Sequence, residues 1–290
     1  MKKNSLFIAL ILGFILVSFG SSQAATIVRV DQAKIRLSIA PGSVKAGSII
    51  IDNPSEQSKY IKAYLEDWYY LPSADGSKDF KPANTTKLSC ADWINFVPAE
   101  FTLPPFGREV VNYTVRVPQD AKGGHYAILF FEHTKDPGES LVEESGFGVA
   151  VRVGTLIYIE PEGTIERKAE LYNLVVERES NDSDLVVSLD FKNTGNVDLT
   201  AGGSFDIIDK DGMVFARGEL NDVYTFGGGE AKLIGSWSLS LERGRYDLIL
   251  TIDLGKALAE TNTGKGPVIV REAELEIGRK GEVIKVGDLR

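Results

Sequence analysis

Apolar and polar side chains alternate along most of this chain, most clearly between residues 101 and 132. Val111, Tyr113, Val115 and Val117 are separated by Asn112, Thr114 and Arg116, the period of two that a half-buried antiparallel strand produces. Pro118 withholds a ladder donor, and residues 119–124 supply the polar side chains and glycines of a connection. The run from Tyr126 to Phe131 is apolar at every position, as for a central strand covered on both faces. The stretch reads as a β-hairpin.

The same pattern recurs on either side. Ile35, Leu37 and Ile39 alternate with Lys34, Arg36 and Ser38, and Pro41-Gly42 turns the chain. Strands are predicted over residues 47–54, 60–70, 93–97 and 146–159. Residues 71–88, rich in Pro, Ser, Asp, Asn and Lys, read as an exposed insertion. Residues 133–144 read as a charged loop and Glu160-Pro161-Glu162-Gly163 as a linker. Beyond it, strands are predicted over 171–178, 185–191, 204–208, 215–220, 230–240, 246–253 and 268–277, with Asp209-Lys210-Asp211-Gly212 as a hairpin turn. No stretch after the first 25 residues carries a helical period. The fold class is therefore all-β: two tandem immunoglobulin-like β-sandwich domains, residues 26–160 and 165–290, after an N-terminal signal peptide at 1–25.

That leader rests on Lys2 and Lys3, the apolar run 6–19, and the small residues Ser22-Gln23-Ala24-Ala25 before a cleavage site. The run is short for a span, which needs about 20 residues; a retained anchor is the alternative. Cleavage after Ala25 removes two lysines and no acid, taking the formal net charge from −9 to −11. So acidic a chain lacks the basic surface that nucleic acid or anionic lipid requires. The mature chain is expected to be periplasmic or secreted, envelope-associated, and without an integral membrane span. The single cysteine, Cys90, cannot close an internal disulfide; it reads as a buried inert thiol, an intermolecular bridge being the other use.

Candidate chemistry changes this picture little. His125 and His133 have no companion at metal-ligand spacing, and His125, after two glycines, reads as a surface residue. Asp209-Lys210-Asp211-Gly212 lacks the distal Glu of a calcium loop. Gly227-Gly228-Gly229 precedes a strand, so it is no phosphate cradle, and no Gly-x-Ser-x-Gly elbow is present. No carboxylate pair is marked out. The chain reads as non-enzymatic, with no cofactor and no metal.

Three segments carry a family resemblance. Residues 47–68, a strand ending Asp52-Asn53-Pro54 and a long strand beginning Tyr60-Ile61-Lys62-Ala63-Tyr64, resemble the second and third strands of periplasmic pilus chaperones, the PapD-like immunoglobulin-fold superfamily. Phe96-Val97-Pro98 with Phe101-Thr102-Leu103-Pro104-Pro105 resembles that family's approach to its next strand. Residues 149–161 (VAVRVGTLIYIEP) are similar to its interdomain strand. The first domain also resembles the N-terminal domain of WxL-interacting surface proteins. Residues 191–197 (FKNTGNV) are similar to a motif of many extracellular immunoglobulin-like modules.

The pilus-chaperone resemblance implies a partner that is another exported protein, a pilin-like or surface subunit, bound by pairing of edge strands. In that family an Arg of the first strand and a Lys of the interdomain strand hold the guest's terminal carboxylate. Here Lys34 or Arg36 stands near the first position. Leu156 stands at the second, and Arg152, four residues earlier, is the one basic residue nearby. The anchor is absent or rebuilt. The candidate partner-binding residues are Val149, Val151 and Val153, whose side chains alternate along the strand, with Lys34, Arg36 and Arg152. The second reading is a structural or adhesive envelope module binding glycan or a surface protein, to which Tyr60, Tyr64, Trp68, Tyr69 and Tyr70 are the candidate contributors.

Overall fold

The computed structural model describes residues 28–134 and 152–290. The leader and its cleavage site, most of the charged loop, Val149 and Val151 lie outside the described residues.

The first domain is built from β1 (Arg29–Val30), β2 (Lys34–Ile39), β3 (Val44–Asp52), β4 (Lys59–Tyr70), β5 (Lys78–Pro82), β6 (Ile94–Val97), β7 (Glu100–Leu103), β8 (Arg108–Arg116), β9 (His125–Thr134) and β10 (Arg152–Pro161). One sheet runs β1-β3-β8-β6; the other runs β2-β10-β9-β4-β5, with β7 also on β4. Ile49, Ile51, Val111 and Val115 from the first sheet meet Ile61, Leu129, Phe131 and Ile157 from the second in one core. The expected hairpin is corrected here. β8 pairs with β3 and β6, whereas β9 pairs with β4 and β10, so the connection after Pro118 carries the chain between sheets. Alternation shows which face of a strand is buried and says nothing of its neighbour, so a crossover and a hairpin look alike in the sequence.

The expected insertion is also more ordered than its composition suggests. It contains β5 and is tied to β4 by Asp67, which is fully buried. The Asp67 carboxylate accepts the main-chain N–H groups of Asn84, Thr85 and Thr86 at 3.3, 2.9 and 2.7 Å, and the Ser89 hydroxyl at 2.5 Å. Cys90 lies beneath this loop as a free, fully buried thiol. Burial, with Asp67 nearby, raises its pKa and keeps it protonated.

The second domain comprises β11 (Ala169–Glu177), β12 (Leu185–Asn193), β13 (Leu199–Ile208), β14 (Val214–Thr225), β15 (Glu230–Trp237), β16 (Gly244–Asp253), β17 (Val268–Ile277) and β18 (Val283–Val286). Hydrogen bonding follows β11-β12-β15-β14-β13-β16-β17-β18. The path folds over between β15 and β14, which share a single register pair, Leu220 with Gly235. Glycine is required at this corner. A Cβ on Gly218 would lie 2.2 Å from the Phe205 ring, and one on Gly235 would lie 2.3 Å from the Glu219 carbonyl oxygen. The two halves thus close around Leu189, Phe191, Phe205, Leu233 and Leu250 as a sandwich. Asp209–Gly212 turns β13 into β14 as expected, with Gly212 at φ 78°. One helix was not foreseen: α1 (Lys256–Glu260) has five residues, too few to show a period.

A third apolar cluster lies on the outer face of the β2-β10-β9-β4-β5 sheet. Trp68, Tyr126, Ile128, Phe130 and Tyr158 are buried there, and Phe226 of the second domain packs onto them. This is why β9 is apolar on both faces: one face fills the first core and the other meets the second domain.

Candidate functional site: the open rim of β10 and the domain junction

β10 is bordered differently along its length. From Leu156 to Pro161 it pairs in parallel with β2 (Lys34 to Ile39) while pairing antiparallel with β9 on its other side. Arg152 to Thr155 pair with β9 alone among the described residues. The Leu156 N–H reaches the Ala33 carbonyl at 2.9 Å. Because alternate residues of a strand direct their main-chain groups the same way, those of Gly154 and Arg152 face the same side, where no strand pairs with them among the described residues, although the Thr155 hydroxyl donates to the Gln32 carbonyl at 2.7 Å. Val153 is half-buried and packs on the first domain's core opposite Phe131.

The far rim of the same sheet differs in kind. β5 carries Lys78, Lys81 and Pro82 in five residues, the charges and missing donor that discourage a strand from adding. The rim of β10 has one charge, Arg152, and that side chain is turned across the sheet. Its guanidinium lies 3.8 Å from the Phe130 ring centroid and donates to Glu66 at 2.8 Å and to the Tyr64 hydroxyl at 3.0 Å.

The structure does not gather the three candidate cations into one site. Lys34 pairs with Glu260 at the end of α1, both partly exposed. Arg36, a candidate partner-binding residue, is 8% exposed and points into the junction instead of toward solvent. Its guanidinium lies over the Tyr158 ring, 4.3 Å from the centroid. It donates to Glu160 and, through Nη1 and Nη2, to both oxygens of Asp198 at 2.9 and 2.8 Å. Glu160 in turn accepts from Arg167. Burial opposes the charge on Arg36, but Asp198 and Glu160 outweigh it and raise its pKa above that of a free guanidinium. Asp198 and Phe226 were not singled out in the sequence, because their partners lie far off along the chain, 72 residues away for Tyr126 and 162 for Arg36 in the case of Asp198.

The aromatic candidates of β4 are engaged within the molecule. Trp68 is buried, Tyr64 and Tyr70 pack on the outer-face cluster, and Tyr60 and Tyr69 donate to Glu100 and Asp79. His125 also departs from expectation: it is half-buried, its ring centroid 4.3 Å from that of Trp93. Burial lowers its pKa below 6.5, against the opposing pull of the Ser89 and Lys122 main chain. A base with a depressed pKa in the folded state binds its proton first in the unfolded state. Its contribution is therefore intact above about pH 6.5 and declines as the pH falls below that value. Replacing His125 with phenylalanine is expected to flatten this acid-side decline; an unchanged slope in denaturant titrations between pH 7 and 5 would count against it.

Among the described residues, no group of three or more His, Cys, Asp or Glu is placed to hold a metal ion, and no helix is long and apolar enough to cross a membrane. No protein-family model matches the chain, and no curated protein matches it. Solved structures do. One is a chaperone–tip adhesin complex of CFA/I fimbriae biogenesis, with 11% identity, 84% of this chain and 97% of that one covered, and a TM-score of 0.48. The likeness is to PapD-like chaperones. The Escherichia coli chaperone DraB matches at 11% identity over 84% of this chain and 96% of its own, with a TM-score of 0.41. The Pseudomonas aeruginosa CupB2 chaperone matches at 12% identity over 85% and 98%, with a TM-score of 0.39. At these identities they are likenesses of fold alone.

Proposed function

We propose that this protein is a non-enzymatic, chaperone-like binder of another exported protein, and that it takes an incoming strand at residues 152–155 of β10. The observation that carries the reading is the unequal treatment of the two rims of one sheet. β5 bears two lysines and a proline, whereas residues 152–155 of β10 have β9 as their one strand partner among the described residues and carry the β-branched Val153. A guest strand there would gain main-chain hydrogen bonds, with alternate side chains resting on the half-buried face at Val153. Val149 and Val151 continue the same face on this proposal, and the leader delivers the chain to the periplasm or beyond. Arg152 and Lys34 border the rim, while Arg36 serves the junction.

The test is binding to the partner that co-purifies with the tagged chain from its own envelope. Replacing Val153 with lysine places an ammonium group among apolar contacts and is expected to weaken that complex by about 2 kcal/mol or more, roughly 30-fold in Kd. Amide exchange at Gly154 should slow in the complex. Undiminished affinity of the folded variant, with exchange at Gly154 unaffected by the partner, would remove the reading.

A further inference from the structure

We propose that the loop of residues 193–197 is a clamp that turns the linker between the domains from a tether into a fixed strap, and that Asn196 closes it. Residues 160–163 have the proline and glycine of a flexible connection, and residues 191–197 are the motif shared with many extracellular modules. In the structure these two stretches meet. The Asn196 side chain grips the linker with both ends of its amide: Nδ2 donates to the Thr164 carbonyl at 2.7 Å, and Oδ1 accepts the Glu166 N–H at 2.7 Å. Its main-chain N–H donates to the Glu166 carbonyl at 3.1 Å, and its own carbonyl accepts the Gly124 N–H of the first domain at 2.8 Å. Asn196 is exposed, a position from which an amide ordinarily turns to water.

The rest of the loop is built to hold that grip. Asn193, fully buried, accepts the Gly195 N–H at 3.0 Å and donates to the Val197 carbonyl at 2.9 Å, shaping the turn from inside. Thr194 and Gly195 then donate their N–H groups to the Lys168 carbonyl at 3.0 and 3.1 Å. Position 195 requires glycine, since a Cβ there would lie 2.1 Å from the Glu166 carbonyl oxygen. Between the gripped residues, Ile165 packs on the core of the second domain. From the first domain, the Gly123 N–H donates to the Thr164 hydroxyl at 3.1 Å. Residues 164–168 are thus held from both domains by neutral groups, whose bonds salt does not screen as it screens exposed charges. This inference does not depend on strand pairing at β10.

The experiment is limited trypsin digestion and amide exchange of the full chain and of Asn196→Ala at high salt, where exposed ion pairs are screened. Arg167-Lys168 supplies two tryptic sites inside the strap, and Lys168 is exposed, so it is the hold on the main chain that would delay cutting. The wild type should resist cleavage there. Asn196→Ala, its fold verified by near-ultraviolet circular dichroism, should be cut there about 10-fold faster or more. Exchange at Thr194 and Gly195 should quicken too, although the substitution leaves their acceptor, Lys168, in place. Equal cleavage rates, or faster exchange confined to Glu166, would overturn the clamp. Rapid cleavage of the wild type at this site would do the same. Should the alanine variant not fold, Asn196→Asp decides, because it keeps the acceptor for Glu166 and loses the donor to Thr164. It should be cut faster than the wild type, and an unchanged rate would overturn the proposal.

Discussion

Replacing Trp68 with alanine is expected to lower stability by about 3–5 kcal/mol, the range for removing a large buried aromatic side chain. The indole is 2% exposed and stands between Tyr70, Tyr126, Tyr158 and Phe226, with ring centroids 5.2 to 5.4 Å away. Its Nε1–H donates to the Ala127 carbonyl at 3.1 Å. Truncation leaves a cavity that these rigid rings cannot fill and an acceptor without its donor. Because Phe226 belongs to the second domain, the loss should loosen the junction as well as the first sandwich. Chemical denaturation gives the stability, and near-ultraviolet circular dichroism reports the aromatic packing. Trp68→Phe should recover about half the loss by refilling the space without the hydrogen bond. A fall of under about 1 kcal/mol for Trp68→Ala would mean the cluster is not a stabilising core.

The second large effect is expected at Asp67. Its carboxylate is the acceptor for three consecutive main-chain N–H groups and a hydroxyl of the loop above it. Asp67→Ala removes all four acceptor contacts. Each buried donor left unmade is unfavourable by about 1–3 kcal/mol, less whatever water restores, so a loss of about 3 kcal/mol is expected. The variant carries its own reporter. Cys90 is fully buried under that loop, and a loosened loop should let thiol reagents reach it in the native state. Rapid labelling of Cys90 in Asp67→Ala, beside protection in the wild type, is the expected pair of results. Equal protection in both would show that the loop is held by something else.

These two sites also mark where reading the sequence succeeds and stops. The β4 and β9 strands were legible because alternation and apolar runs report burial directly, and the apolar character of β9 on both faces follows from its two packed sides. The residue that covers its outer face, Phe226, was not legible, since it lies in a turn before three glycines with no pattern of its own. β5 was missed because Lys-Asp-Phe-Lys-Pro is short and mostly polar, its pairing set by β4 and not by its composition. Arg36 was noticed as a candidate, but its surroundings were not legible: a strand charge is solvated unless an acid arrives from elsewhere, and Asp198 comes from 162 residues away. Open and guarded rims were partly legible. The scarcity of charge and proline in residues 152–159 was visible, whereas the point where β2 begins to cover that strand depends on register.

The unequal rims of the β2-β10-β9-β4-β5 sheet bear on stoichiometry. A sheet open on both sides can pass growth along, each newcomer presenting the next template, and its assemblies lengthen with concentration. On the proposed reading, the receptive stretch of this sheet is the four residues of β10 before β2 covers it, while β5 on the opposite side carries Lys78, Lys81 and Pro82. If strand addition occurs at β10 as proposed, β5 would not relay it, and the molecule would end such a series at one strand. Complexes formed there should saturate at one guest per chain, with a mass that stays constant as concentration rises.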